Sequence, residues 1–85
     1  MATAHYVKTL GRGVHWEQRL YRIEGHANIE YVVTSSIKRN PLINETMAFW
    51  ANEAGEIVDW GELATEAANE HVACLEAAGF EVVKP

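Results

Sequence analysis

The stretch Asn52–Ala67, NEAGEIVDWGELATEA, holds five carboxylates around a glycine. Carboxylates that converge from a loop bind calcium, but calcium loops place them at alternate positions with a central glycine and a late glutamate, and this spacing does not match. Asp59 and Glu62 instead have the D-x-x-E spacing of a capping box, whose side chains accept hydrogen bonds from unpaired N–H groups at a helix start. We therefore predict a hairpin turn at Gly55, a helix cap at Asp59 and Glu62, and no metal site. Trp60 is expected to anchor the core.

His71 and Cys74 lie three residues apart, so a helix would place both on one face. Two ligands do not make a zinc site, and the other histidines are scattered along the chain without metal-ligand spacing. The same pair could be a nucleophile with its base, but no known nucleophile motif surrounds it. We interpret Cys74 as a core or boundary residue and predict no catalytic residue and no metal ligand.

The glycines do not form a nucleotide-binding loop. Gly11 and Gly13 lack the third glycine and the following helix that would present N–H groups to a phosphate. We therefore predict no cofactor.

The first hairpin is rich in cations and aromatic side chains, the combination that binds single-stranded nucleic acid. They are Lys8, Arg12, Arg19 and Arg22, with Tyr6, His15, Trp16 and Tyr21. However, the chain has a net charge of −5, and an acidic domain repels phosphate unless its charges separate in space. A nucleic-acid-binding regulator is the alternative interpretation, and the main interpretation has no nucleic acid partner.

Length and composition indicate one small folded domain, residues 1–85, with 48% hydrophobic residues. A single cysteine excludes an internal disulfide and favours the reducing cytoplasm. The chain shows neither an apolar stretch of signal-peptide length nor a membrane span. Residues 1–42 carry six Lys and Arg against three carboxylates, whereas residues 43–85 carry one against nine. This asymmetry can steer a partner or let two copies associate.

Alternating apolar and polar residues predict strands through most of the chain. Gly11–Gly13 separates the first two as a hairpin turn, and Pro41 places the segment KRNPLIN in a loop. The predicted strands are His5–Leu10, Val14–Glu24, Ile29–Ile37, Glu45–Ala51, Glu56–Trp60 and Phe80–Val83.

From about Leu63 the period changes to that of an amphipathic helix. Its apolar stripe is Ala64, Ala68, Val72 and Leu75, and Gly79 is placed to end it as a C-cap. The prediction is an α+β domain in the order β-β-β-β-β-α-β, with one C-terminal helix packed on one face of a mostly antiparallel sheet of five to six strands.

Two tryptophans fall on the less apolar sides of their strands. Trp16 and Trp50 would then be exposed, and exposed tryptophan is enriched at interface hot spots. A register shifted by one residue would instead turn either ring inward, and the sequence leaves both alternatives open. We assign partner binding to four residues: Trp16, Trp50, Arg19 and Arg22.

Three segments of the second half occur in a recognisable order: YVVTSSI, ETMAFWANEAGEIVDWGEL and EHVACLEAAGFEVV. Together they resemble small accessory proteins of mycobacteriophages and related actinobacterial phages. The resemblance covers about Tyr31 to Val83 and departs from the family pattern at Trp50, where proline is expected, and at Phe80, where tyrosine is commoner.

The family contributes no catalytic residue and no cofactor. The resemblance implies a phage protein made in the cytoplasm of the bacterial host. We expect a non-enzymatic protein that binds a host or phage protein, with self-association as a further expectation and no membrane contact.

Overall fold

The computed structural model describes residues 2–40, 43–66 and 70–83. They follow the predicted order β-β-β-β-β-α-β. The strands are β1 (Thr3–Arg12), β2 (Trp16–Glu24), β3 (Tyr31–Asn40), β4 (Ile43–Ala51), β5 (Ile57–Glu66) and β6 (Glu81–Val83), and the helix is α1 (His71–Ala77).

All of these strands join one sheet in the order β5-β4-β3-β2-β1-β6. Neighbouring strands are antiparallel, except that β6 runs parallel to β1. The predicted hairpins β1–β2 and β4–β5 are confirmed. At the second, Gly55 has a φ of +85°, and the side-chain oxygen of Asn52 accepts hydrogen bonds from the N–H groups of Ala54 and Glu56. The α+β class with a mostly antiparallel sheet is therefore confirmed.

The predicted loop between β3 and β4 is largely strand. β3 continues to Asn40 and β4 begins at Ile43, because Lys38 still pairs with Asn44 across the two strands. Pro41 and Leu42 lie outside the described residues.

The predicted start of the helix is wrong. Asp59 and Glu62 lie within β5, opposite Trp50 and Phe49 of β4, and do not cap a helix. α1 begins at His71, and its N-cap is Glu70, whose carboxylate accepts a hydrogen bond from the Val72 N–H.

The cause of this error is the spacing of small apolar residues, which suits a strand as well as a helix. Ala64 pairs with Ala48 in the sheet, so the apolar stripe predicted for a helix begins in β5. Ala68 of that stripe lies outside the described residues.

The predicted end of the helix is confirmed. Gly79 has a φ of +95°, and its N–H donates to the carbonyl of Glu76 while the Phe80 N–H donates to the carbonyl of Leu75. These two bonds make a Schellman motif, which satisfies carbonyls that the helix end leaves unpaired.

The main core lies between α1 and one face of the sheet. Its buried residues include Cys74 and Leu75 of α1, both 0% exposed, so Cys74, interpreted as a core or boundary residue, belongs to the core. The other members are Ala4, Tyr21, Ile23, Ile29, Val32, Ala48 and Phe80.

A second, smaller core lies on the opposite face of the sheet, where Leu20, Val33 and Ala51 are buried. No helix covers this face in the described residues, and the sheet covers it by curling. A Cβ added to Gly55, in the β4–β5 turn, would lie only 2.6 Å from the Leu10 side chain of β1. Two strands separate β4 from β1 in the sheet, so this contact closes the sheet over the second core.

Candidate functional site

The edge strand β5 pairs irregularly with β4. The register is regular where Thr46–Ala48 face Ala64–Glu66, but it then shifts three times before Ala51 faces Ile57. The shifts leave four residues of β5 without a partner in the β4 register, and we call them the β5 bulge: Val58, Trp60, Gly61 and Leu63. Bulges re-aim side chains and make an edge less suitable for a further strand.

The β5 bulge turns Trp60 outward. Its side chain is 73% exposed, so the expectation that Trp60 anchors the core is wrong. The ring is nevertheless held in place, since it meets the buried Phe49 ring edge-on at a centroid distance of 5.5 Å. The adjacent backbone is also bonded, with the Gly61 N–H donating to a carboxylate oxygen of Asp59 at 2.8 Å. Val58, 53% exposed, adds a second apolar side chain.

A groove with a volume of about 540 Å³ lies beside the β5 bulge, and we call it the Trp50 groove. Trp50 is half-buried and packs against the main core, while Tyr31 packs against the second core. The groove is lined by Asn28, Glu30, Tyr31, Trp50, Ala51, Asn52, Glu53, Val58 and Asp59.

The second predicted tryptophan, Trp16, lies at the β1–β2 turn. It is 46% exposed, and its indole covers the glycines of the turn, because a Cβ added at Gly13 would clash with the indole nitrogen. Trp16 lines a separate cleft of about 330 Å³, together with Arg12, Arg19 and Lys38.

The structure therefore divides the four residues predicted to bind a partner. Trp16 and Arg19 share the 330 Å³ cleft, and Trp50 lines the Trp50 groove. Arg22 lines neither, and its exposed guanidinium lies 3.7 Å from the Glu24 carboxylate. The sequence did not predict an exposed Trp60 because a bulge shifts the alternation of a strand by one residue. The signal that could have found it is Gly61, since an isolated glycine inside a strand pattern suggests a bulge.

Glu17 is the centre of an ion-pair network in the 330 Å³ cleft. One carboxylate oxygen accepts a bond of 2.7 Å from Arg12, and the other accepts a bond of 2.7 Å from Arg19 and lies 3.2 Å from His71 Nε2. Burial alone would raise the pKa of Glu17, but the Arg12 hydrogen bond and the Arg19 charge outweigh it and hold the pKa below 4.5.

His71 connects this network to the core. Burial, together with the positive charge of Arg19, lowers the pKa of His71 below 6.5, so the imidazole is neutral near pH 7. Because the ionised Glu17 can only accept, Nε2 carries the proton, and Nδ1 accepts from the Thr34 hydroxyl at 2.7 Å.

The chain Thr34–His71–Glu17 has the order of a nucleophile, a base and an orienting carboxylate. A nucleophile must reach its substrate, however, and the Thr34 side chain is 0% exposed. The Cys74 thiol is equally buried and donates to the Thr46 carbonyl at 3.4 Å. Neither the Thr34 hydroxyl nor the Cys74 thiol therefore reaches solvent.

Comparisons with known protein families, with curated proteins and with solved structures found no match. Within the described ranges, no helix has the length and apolar character to cross a membrane. In the same residues no three His, Cys, Asp or Glu side chains are grouped so that they could hold a metal ion.

Proposed function

We propose that this chain is a non-enzymatic protein that acts by binding another protein through the β5 bulge. The observation that carries the proposal is Trp60, which is 73% exposed and yet fixed against Phe49. An exposed tryptophan loses apolar hydration on docking, and a ring that is already ordered loses little conformational entropy. Tryptophan is among the residues most enriched at interface hot spots.

Side chains, rather than an added strand, make this contact. Strand addition needs a regular row of free N–H and C=O groups, and the shifts in β5 interrupt that row between Ile57 and Ala64. The partner instead docks on Trp60 and Val58.

The setting of this function is also part of the proposal. The resemblance to actinobacterial phage accessory proteins supports a location in the bacterial cytoplasm and a host or phage protein as the partner. The single cysteine, buried as a free thiol, is compatible with a reducing compartment.

The test is affinity capture from a mycobacterial lysate with wild type, Trp60→Ser and Trp16→Ser. Trp16 is the matched control, because it is also an exposed tryptophan but lies at the β1–β2 turn. We expect a protein that wild type and Trp16→Ser retain and Trp60→Ser loses. Circular dichroism confirms that all three are folded.

Retention of the same proteins by all three variants would contradict the role of Trp60. Sedimentation of wild type and Trp60→Ser tests self-association through the same surface: a dimer lost on substitution would identify a second copy as the partner.

Nucleic acid binding is the second candidate function, and one observation favours it. Trp16 shares the 330 Å³ cleft with Arg12 and Lys38, which places a ring for base stacking beside two cations. Titration with single-stranded oligonucleotides at low salt tests it, since phosphate contacts must weaken as salt rises. An absence of binding at low salt would contradict nucleic acid binding as a function.

A further inference from the structure

We infer that the Trp50 groove receives a basic, extended segment of the partner protein, with an arginine seated beside Trp50 and Asp59. This inference rests on the proposed function, because the Trp50 groove adjoins the β5 bulge and shares Val58 with it.

The volume of the groove, about 540 Å³, and its lining suit one side chain with its neighbouring backbone. Its apolar part consists of Trp50, Tyr31, Ala51 and Val58, and two of these are aromatic rings. Tyr31 and Trp50 come from adjacent strands, since Tyr31 pairs with Ala51 and Val32 pairs with Trp50. Tyr31 begins β3 and Ala51 ends β4, so the groove lies at this end of the two strands, with the Trp50 side chain toward the main core and the Tyr31 side chain toward the second core.

The charges around the groove are all negative. Glu30, Glu53 and Asp59 line it together with no Lys, Arg or His. Within the described residues none of these three carboxylates forms an ion pair, in contrast to Glu17 and Glu24. A cation that enters the groove therefore meets carboxylates that no internal cation has neutralised.

Arginine fits this combination better than a neutral or acidic side chain. Asp59 pairs directly with Trp50 across β4 and β5, so an aromatic ring and a carboxylate stand side by side. A guanidinium can stack on the ring and at the same time bond the carboxylate with its planar fork. Lysine would satisfy the charge but not the stacking geometry.

Two other occupants are less compatible with the charges. A second copy has the same net charge of −5, so the two chains repel each other at long range. A divalent cation requires converging ligands, and Asp59 already accepts a bond from the Gly61 N–H while Glu30 and Glu53 lie on different turns.

The test uses a short capped peptide in which arginine alternates with serine, and the corresponding glutamate–serine peptide as its control. Isotope-labelled protein is titrated and the NMR signals of Trp50, Tyr31 and Val58 are followed. We expect the arginine peptide to shift these signals and the glutamate peptide to leave them unchanged.

A matched pair of double variants separates the groove from general attraction to an acidic protein. Glu30→Gln/Glu53→Gln removes two carboxylates of the groove, and Glu76→Gln/Glu81→Gln removes two exposed carboxylates that do not line it. We expect the first to weaken peptide binding about tenfold and the second less than about twofold. Trp50→Leu should also weaken it, by about fivefold.

Equal weakening by both double variants, or equal shifts with both peptides, would overturn the inference. Groove signals that depend on protein concentration without peptide would assign the groove to a second copy and also overturn it. If a partner captured through Trp60 binds Glu30→Gln/Glu53→Gln as well as it binds wild type, the inference that a basic segment occupies the groove is wrong, and the proposed function stands. If peptide binding is confirmed but Trp60→Ser still captures the same proteins, the proposal that the partner binds through the β5 bulge is wrong.

Discussion

Glu17 and His71 are a polar pair whose burial is compensated by hydrogen bonds. The Glu17 carboxylate is 18% exposed and receives bonds from two arginines and the imidazole. Nδ1 of His71 in turn accepts a hydrogen bond from the Thr34 hydroxyl. Buried polar groups of this kind cost little when every partner is present and much when one is removed.

Replacement of Glu17 by glutamine should therefore destabilise the fold by about 1–3 kcal/mol, since Arg19 and His71 lose their charged acceptor. The control is Glu24→Gln, whose carboxylate is exposed and 3.7 Å from Arg22; it should change stability by less than about 0.5 kcal/mol. Urea unfolding of the two variants measures the difference. Equal losses would show that the network contributes no more than a surface ion pair.

The buried imidazole of His71 makes the stability of the fold depend on pH. Because the pKa of His71 is lowered in the folded state, the unfolded chain binds more protons just below pH 6.5, and stability must fall as the pH falls through this value. Glu17, whose pKa is lowered below 4.5, adds a second loss only in more acidic solution. Acid therefore destabilises the chain in two steps.

Unfolding at about pH 7.5 and about pH 5.5 isolates the histidine step. We expect wild type and His15→Gln, a control at an exposed histidine, to lose stability at the lower pH, and His71→Gln to lose less. NMR titration of the imidazole gives an independent readout. A His71 pKa at or above 6.5 would contradict the prediction.

Glycine turns and strand bulges set the shape of the sheet. Gly55 and Gly79 both have positive φ, but only Gly55 also touches another element, the Leu10 side chain of β1. The bulges of β5 determine which side chains its edge presents. A turn and a bulge therefore decide the closure of the second core and the exposure of Trp60.

Alanine at each of these two glycines separates conformational strain from closure of the sheet. Gly79→Ala meets nothing within 4 Å and should cost about 1–2 kcal/mol for its φ alone. Gly55→Ala carries the same strain and displaces Leu10, which should cost a further 1–3 kcal/mol, about the cost of overpacking a core. Thermal unfolding compares the stability of the two variants. Equal losses of stability would mean that the Leu10 side chain moves aside at no cost.

At the scale of the whole molecule, the first and last strands of the described residues pair with each other. β6 pairs with β1, so Val82 lies opposite Ala4, and α1 lies between β5 and β6 in the chain. This pairing joins residues far apart in sequence, and it brings Phe80 to the same core as Ala4, although the other neighbours in the sheet are consecutive strands.

Such a topology should fold slowly for its size, with its main relaxation in about the millisecond-to-second range. Stopped-flow refolding followed by tryptophan fluorescence measures this rate. Complete refolding within the dead time of mixing would show that local contacts dominate.

Much of the fold could be predicted from particular residues. Alternation placed the strands, Gly55 placed the second hairpin, and Gly79 placed the helix end, because each of these signals is local. The helix start was missed because small residues such as Ala64 suit a strand as well as a helix. Pairing with β4, which no local pattern encodes, keeps Ile57–Glu66 extended.

The sequence by itself determined the α+β class, the order of elements and the acidic charge of the second half, because these follow from periodicity, turn chemistry and composition. Only the tertiary structure decided which tryptophan is exposed and which carboxylates share a groove. A bulge shifts the alternation of a strand, and the pairing of β3 with β4 brings together the turns at one end of the two strands. Trp60 and the Trp50 groove became visible for that reason alone.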